Sequence, residues 1–299
     1  VIDLKVPKGG EVSAVALAAD GSRLAVQTHN DMQVCDPAGG AWRSVRGKRL
    51  NISQGLAVDP AGRYAAWEDW DGSVVADLAS GERTELARAT DDEWVPDDKV
   101  RQLLFSPDGG ELWAVSTRVR RWAVGSWLPL PPADLAVPPG PAGNVRLSAD
   151  GTAAAAWTTR WPDHGPETTV TFAAGAAPVT VRTDVDYSDN GAIDAAGRLF
   201  AASTTSALTV WAVATGRGVF QLPAGRGGYI TAVAFTPDGR TLLVGQGESV
   251  HSFDTATWAE GQAYDWRAGR VTCLAIAAGG LTAAAGTKTG RVVVWDLGG

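Results

Sequence analysis

Cysteine, histidine and methionine are nearly absent, at two, three and one in 299 residues. Cys35 and Cys273 fall in separate strand-like runs with no C-x-x-C pair, so two buried thiols in a reducing compartment are expected. The histidines His29, His164 and His251 lie beside no obvious Ser or Cys nucleophile. No run of 18 apolar residues occurs, which excludes a membrane-spanning helix. No basic segment precedes an apolar stretch at the start, so no signal peptide is read. The first residue is Val1 rather than Met, which predicts a chain cut out of, or processed from, a longer one. No 3.6-residue apolar period is sustained. There is no Lys/Arg block either. The net charge of −7, from 33 acidic and 26 basic side chains, makes nucleic acid a poor partner. Abundant Ala, with Arg far exceeding Lys, points to a high-GC bacterial genome.

What is present is a repeat. A short strand and a tight turn recur as "VALAADG" (15–21), "GLAVDPAG" (55–62), "LLFSPDG" (103–109), "VRLSADG" (145–151), "GAIDAAG" (191–197), "VAFTPDG" (233–239) and "LAIAAGG" (274–280). Each turn closes on a glycine, which supplies the positive φ of a tight hairpin, often with Asp or Pro before it to favour the bend. A second apolar strand rich in Ala follows, as in "RLAVQT", "RYAAWE" and "LTAAAG". Such small residues suit sheets packed closely face to face. A third strand is β-branched or alternating, as in "MQVCD", "LTVWA" and "RVVVWD", and a fourth, more polar one usually follows, as in "RTELA", "PVTVR" and "GVFQL". Four antiparallel strands repeated seven times predict an all-β, seven-bladed β-propeller in which each blade buries its faces against its neighbours. The blades are expected at about 11–49, 50–99, 100–143, 144–189, 190–228, 229–269 and 270–299.

The seventh blade has three strands before the sequence stops. The opening "VIDLKVPKGG" reads like the exit of blade 5, "GVFQLPAGRGG": an apolar strand, Pro, then a Gly-rich link. Residues 1–7 are therefore expected to supply the fourth strand of blade 7, closing the ring and making 1–299 a single domain. An unpaired edge there would invite association.

On "FSPDG" (105–109), "FTPDG" (235–239), "LTVWA" (208–212) and "RVVVWDL" (291–297), the chain resembles the WD40 repeat family over its whole length, most clearly in blades 3, 5, 6 and 7. It departs from that family in lacking the opening Gly-His and in reading Trp-Asp in full only at Trp295-Asp296. The polar tetrad that staples many such blades is therefore expected to be mostly missing, with Asp71 as the surviving loop aspartate. Stability then falls to packing. Trp42, Trp127 and Trp258 are expected at the start of fourth strands, and Trp67 and Trp157 at matching places in second strands.

No GxSxG, HExxH, GxxxxGK[ST] or helix-opening GxGxxG occurs. "DVDYSDNG" (184–191) departs from a calcium loop at its sixth position, Asp189, and its twelfth, Ala195. "DHGPE" (163–167) offers Asp163, His164 and Glu167 as ligand types, but reads as a solvated loop. No metal and no cofactor are expected. The starts of the inner strands read Ser13, Gln54, Gln102, Asn144, Asn190, Thr231 and Thr272, neutral groups that suit a water-lined channel rather than acid–base work.

In the WD40 family, the loops between second and third strands share a face with the inter-blade connections. The resemblance then places Asp69, Trp70, Asp71, Asp92, Glu93, Trp94, Asp97 and Trp161 on one side. Tryptophans ringed by carboxylates make a docking patch for a basic protein or peptide. The competing reading is a solvated acidic loop with each indole folded onto its own blade. The opposite face holds short Asp-Gly turns that read as plain connectors. The favoured function is a non-catalytic protein- or peptide-interaction module of the cytoplasm, with no nucleic-acid or membrane partner. The resemblance implies a sensor or scaffold at the C-terminal end of a bacterial signalling or effector protein, behind a fused N-terminal kinase, NTPase or protease-like domain. The alternative is a propeller enzyme acting on a small molecule at the central channel, which a stoichiometric metal in the purified protein would favour.

Overall fold

The structure, a computed structural model, describes residues 1–7, 10–29, 31–45, 55–69, 72–86, 99–116, 118–131, 144–163, 165–175, 177–183, 190–204, 207–225 and 228–298. Its described elements are strands, assembled into seven antiparallel sheets. Blade 1 is β2 (Val12–Leu17), β3 (Leu24–Thr28), β4 (Met32–Cys35) and β5 (Trp42–Ser44). Blade 2 is β6 (Leu56–Val58), β7 (Tyr64–Asp69), β8 (Gly72–Asp77) and β9 (Arg83–Glu85). Blade 3 is β10 (Gln102–Phe105), β11 (Glu111–Val115) and β12 (Val119–Ala123). Blade 4 is β13 (Asn144–Leu147), β14 (Ala154–Arg160), β15 (Glu167–Ala173) and β16 (Val179–Thr183). Blade 5 is β17 (Gly191–Ile193), β18 (Leu199–Ser203), β19 (Ala207–Ala212) and β20 (Arg217–Pro223). Blade 6 is β21 (Ile230–Phe235), β22 (Thr241–Gln246), β23 (Ser249–Asp254) and β24 (Glu260–Asp265). Blade 7 is β25 (Val271–Ile276), β26 (Thr282–Thr287), β27 (Arg291–Asp296) and, from the other end of the chain, β1 (Ile2–Lys5).

The inner strands touch in cyclic order, β2–β6–β10–β13–β17–β21–β25 and back to β2, so the seven sheets form a closed propeller. The core follows from that arrangement. Seven hydrophobic clusters lie one at each junction between neighbouring blades. Small residues make the close approach possible. Ala65, Ala66, Ala154, Ala155, Ala201, Ala202, Ala283 and Ala284 are fully buried in second strands. Between them sit the large aromatics. Trp67 fills the junction of blades 1 and 2, and Trp157 that of blades 4 and 5. The buried indole N–H groups of Trp67, Trp122 and Trp295 have no hydrogen-bond partner. Each such orphan costs about 1–3 kcal/mol, which the buried ring area of each indole offsets. Trp122 and Trp295 are held by packing, in the clusters between blades 2 and 3 and between blades 6 and 7.

The turn sequence has a mechanism. Ser106 Oγ donates to Asp108 at 2.5 Å, Asp108 accepts the Gly110 N–H at 3.0 Å, and Ser106 Oγ accepts the Glu111 N–H at 2.9 Å. The same set recurs at Ser148/Asp150 and Thr236/Asp238. The hydroxyl and backbone donors hold the Asp108 and Asp238 carboxyls below the usual carboxylate range.

Two details differ from expectation. Trp42 opens the fourth strand of its blade, but Trp127 and Trp258 sit in the preceding turn with left-handed φ of 55° and 59°. Each donates its N–H back across the turn, to Ala123 and Asp254, and lays its ring on the preceding blade. Trp127 meets Tyr64 edge-on at 5.0 Å, and Trp258 stacks on Phe220 at 4.6 Å. That contact offsets the backbone strain of a non-glycine left-handed residue. Blade 3 also has a minimal outer strand. Leu128 and Leu130 pair with Ala123 and Arg121, and Pro129 sits opposite Trp122 where no ladder donor is needed.

Candidate functional site

The inner strands surround a central cavity of about 240 Å³, lined in part by Ser13, Gln102, Asn190 and Thr272, four of the neutral polar residues expected there. Their side chains stitch blades together. Gln102 of blade 3 accepts the Leu147 N–H of blade 4 at 2.8 Å. Thr231 of blade 6 donates to the Val271 carbonyl of blade 7 at 2.7 Å, and Thr272 of blade 7 donates to the Val12 carbonyl of blade 1 at 2.6 Å. Ser13 donates within its own blade, to Gln27 O at 3.1 Å. Gln54 lies outside the described residues.

The lining also contains Arg146, which the sequence reading did not single out. It is the one charged residue that lines this cavity among the described residues, and it is 8% exposed. Its Nε donates to Gly191 O of blade 5 at 3.0 Å, and its Nη1 to Arg101 O of blade 3 at 3.0 Å and Val145 O at 2.8 Å. The guanidinium lies 5.7 Å from the Trp157 ring. One cation thus ties three consecutive blades. The signal was in the repeat: five residues before the seven turn glycines stand Ala16, Ala57, Leu104, Arg146, Ala192, Ala234 and Ala275. Arg146→Ala is expected to lower the unfolding free energy by about 3 kcal/mol in urea titration, and Arg146→Lys to recover little, because one ammonium nitrogen cannot stand at both the Nε and the Nη1 positions from which the guanidinium reaches blades 5 and 3. A wild-type midpoint for Arg146→Ala would contradict this role.

The channel carries one thiol, Cys273. Burial pushes it, like Cys35, up to about 12, which leaves neither as a nucleophile at neutral pH. Among the described residues no three His, Cys, Asp or Glu side chains group as metal ligands. No described helix is long and apolar enough to cross a membrane.

Of the eight docking-patch residues, Trp70, Asp71, Asp92, Glu93, Trp94 and Asp97 lie outside the described residues. Trp161 stands in the loop joining β14 and β15 and is 68% exposed, so its indole is not folded onto its own blade. The hairpin beneath it is the longest in the molecule's described part. It pairs Arg160 with Glu167, and Thr159 meets Thr168 through a 2.7 Å hydrogen bond between hydroxyls. Asp69 departs from expectation. It is 8% exposed, because the ladder of blade 2 continues to the pair Asp69–Gly72 and draws the side chain in. Beside it Glu68 accepts from Ser73 Oγ at 2.8 Å. Glu68 and Asp69 are therefore part of the packing of blade 2 rather than a displayed charge, and the two described patch residues sit on blades 2 and 4 with blade 3 between them.

The turn face was read as plain connectors, yet it carries the larger of the two cavities described here. A groove of about 520 Å³ runs between blades 6 and 7, floored by Leu243 and Tyr264 and flanked by Leu281 and Leu297. Compared with models of known protein families and with curated proteins, the chain matches none. The fold and these surfaces define a seven-bladed β-propeller with two separate candidate contact regions, one on each face.

Proposed function

We propose that this propeller is a non-catalytic docking module for proteins or peptides, basic ones in particular, and that it is the sensor or scaffold part of a larger bacterial signalling or effector protein of the cytoplasm. The WD40 resemblance of the repeats supports this reading. So does the use of the channel's polar side chains, most of which bond to backbone between blades. The observation that carries it is Trp161, a large apolar side chain just beyond the last pair of the β14–β15 hairpin and left 68% exposed. Tryptophan is enriched among interaction hot spots, whose truncation costs about 2 kcal/mol or more.

The test is quantitative capture of partners from the source organism by the wild-type protein and by Trp161→Ala and Trp94→Ala. A specific partner is expected to bind each variant roughly thirtyfold more weakly, with far-UV circular dichroism and melting unchanged. Acidic residues around the indoles predict weaker capture as salt is raised. Equal capture by both folded variants would remove this patch as the docking site.

A further inference from the structure

We propose that blades 6 and 7, on the face that carries the inter-blade connections, hold a site for a phosphoryl group borne by a partner peptide, with Arg270 at its centre. The inference rests on the interaction-module reading, but on other residues than Trp161.

Arg270 stands in the connection from β24 to β25. Its side chain is half-buried, and its Nε is closed off from solvent without a hydrogen-bond partner. Among the described residues no carboxylate forms an ion pair with it. A desolvated guanidinium edge without an acceptor costs stability, and an ion or ligand that draws the group out relieves that cost. Arg146 shows the contrast, since its buried guanidinium reaches carbonyls on three blades. Arg101 shares the orphaned Nε, but the link ahead of it, 87–98, lies outside the described residues. Within blades 6 and 7, residues 228–298 are all described.

Backbone bonds fix the neighbours of Arg270. The Lys288 N–H donates to Arg270 O at 2.8 Å, the Val271 N–H to Gly247 O at 2.8 Å, and the Gly247 N–H to Tyr229 O at 3.3 Å. Lys288 and Tyr229 therefore flank Arg270 on one ledge, both exposed, Tyr229 at 58%. Arg267 adds a third cation. It is one of three described non-glycine residues with left-handed φ, at 52°. Trp127 and Trp258 offset that strain by laying their rings on a neighbouring blade, whereas Arg267 is exposed. Trp266, packed on Trp295 at 4.6 Å, and Asp265, which accepts the Arg267 N–H at 3.0 Å, set the turn. Strain held without a packing contact of its own gathers at ligand sites.

Three cations from two adjoining turns suit a phosphate dianion, whose oxygens accept from several directions. Glu11, Glu248 and Asp265 lie on the surrounding segments, and none forms an ion pair with these cations. They temper the local field, so a single negative charge is held more weakly than a double one. Tyr229 offers the rest of the peptide an aromatic surface.

The probe is a capped heptapeptide of alanine and glycine with one central phosphoserine, titrated into the folded protein by isothermal calorimetry. Saturable binding is expected, at least tenfold weaker with serine in that place and at least tenfold weaker for Arg270→Met. Lys288→Ala is expected to weaken binding about threefold and Glu248→Gln to tighten it about threefold, the scale of one exposed charge pair. Arg270→Met keeps an apolar stem and removes the orphaned Nε, so it is expected to melt at or above the wild-type temperature. Trp161→Ala is expected to leave this binding unchanged, so the two sites fail or succeed separately. No saturation at millimolar phosphopeptide would overturn the proposal. So would equal binding of a peptide with glutamate in that place, which would give the site to carboxylates. A lower melting temperature of Arg270→Met with unchanged phosphopeptide binding would make Arg270 a packing residue instead.

Discussion

Deletion of residues 1–7 is expected to lower the melting temperature by about 10 °C and to promote aggregation. The first strand joins blade 7 through the pairs Ile2–Val294, Asp3–Val293, Leu4–Val292 and Lys5–Arg291. Val6 is fully buried in the cluster between blades 7 and 1, its N–H bonds Gly290 O at 3.0 Å, and Leu4 packs against the same cluster. The Pro7 carbonyl accepts from the Gln33 side chain of blade 1 at 2.9 Å. Exposing what Val6 and Leu4 cover costs about 3 kcal/mol, and the lost hydrogen bonds about 2 kcal/mol more. In a chain of this length each kcal/mol moves the midpoint by about 2 °C. The deletion also bares β27, an apolar edge of the kind that pairs with other chains. Differential scanning calorimetry and light scattering read both effects, and wild-type melting by the truncated protein would show that the strand closes nothing. By contrast, Asp3→Asn removes only the half-exposed ion pair between Asp3 and Arg291, and about 0.5 kcal/mol is expected.

The second large effect is expected at Gly197. Gly197→Ala should cost about 4 kcal/mol, whereas Gly40→Ala should cost about 1 kcal/mol, although both glycines have nearly the same backbone angle. Their φ values are 65° and 67°. Nothing lies within 4 Å of a Cβ at Gly40, while a Cβ at Gly197 would overlap the Ala153 methyl group of blade 4. Ala153 is buried and anchored by the Ser148 turn, so it cannot retreat. The pair of variants separates conformational strain from inter-blade contact in one urea-denaturation experiment. Equal losses would mean that blades 4 and 5 do not press together at this turn.

The repeat was legible because the turn chemistry is local. A glycine at the end of a short apolar strand, often with Asp or Pro before it, announces a tight turn, and seven such signals at similar spacing permit few architectures. The closure by β1 was legible for the same reason, through the apolar strand, proline and Gly-rich link shared with blade 5. What the sequence hid depends on three-dimensional neighbours. Arg146 reads as one more charge in a strand, and only the ring shows that it reaches carbonyls of three blades. Asp69 reads as a loop carboxylate, and only the ladder pairing to Gly72 buries it. Trp127 and Trp258 read as strand residues because aromatics favour strands, but their neighbours across the junction hold them in a left-handed turn.

The pairing of β1 with β27 has a consequence for how the ring comes apart. A stack of repeats that is open at both ends can fray from either one, losing units singly. Here each blade has two neighbours, so detaching any one of them breaks two of the seven apolar junctions at once. The circle has no preferred seam other than the short ladder between β1 and β27. A circular permutant that links the present ends covalently and opens the chain at Gly40, where an added Cβ would meet nothing within 4 Å, should move that seam to blade 1 while keeping the same fold.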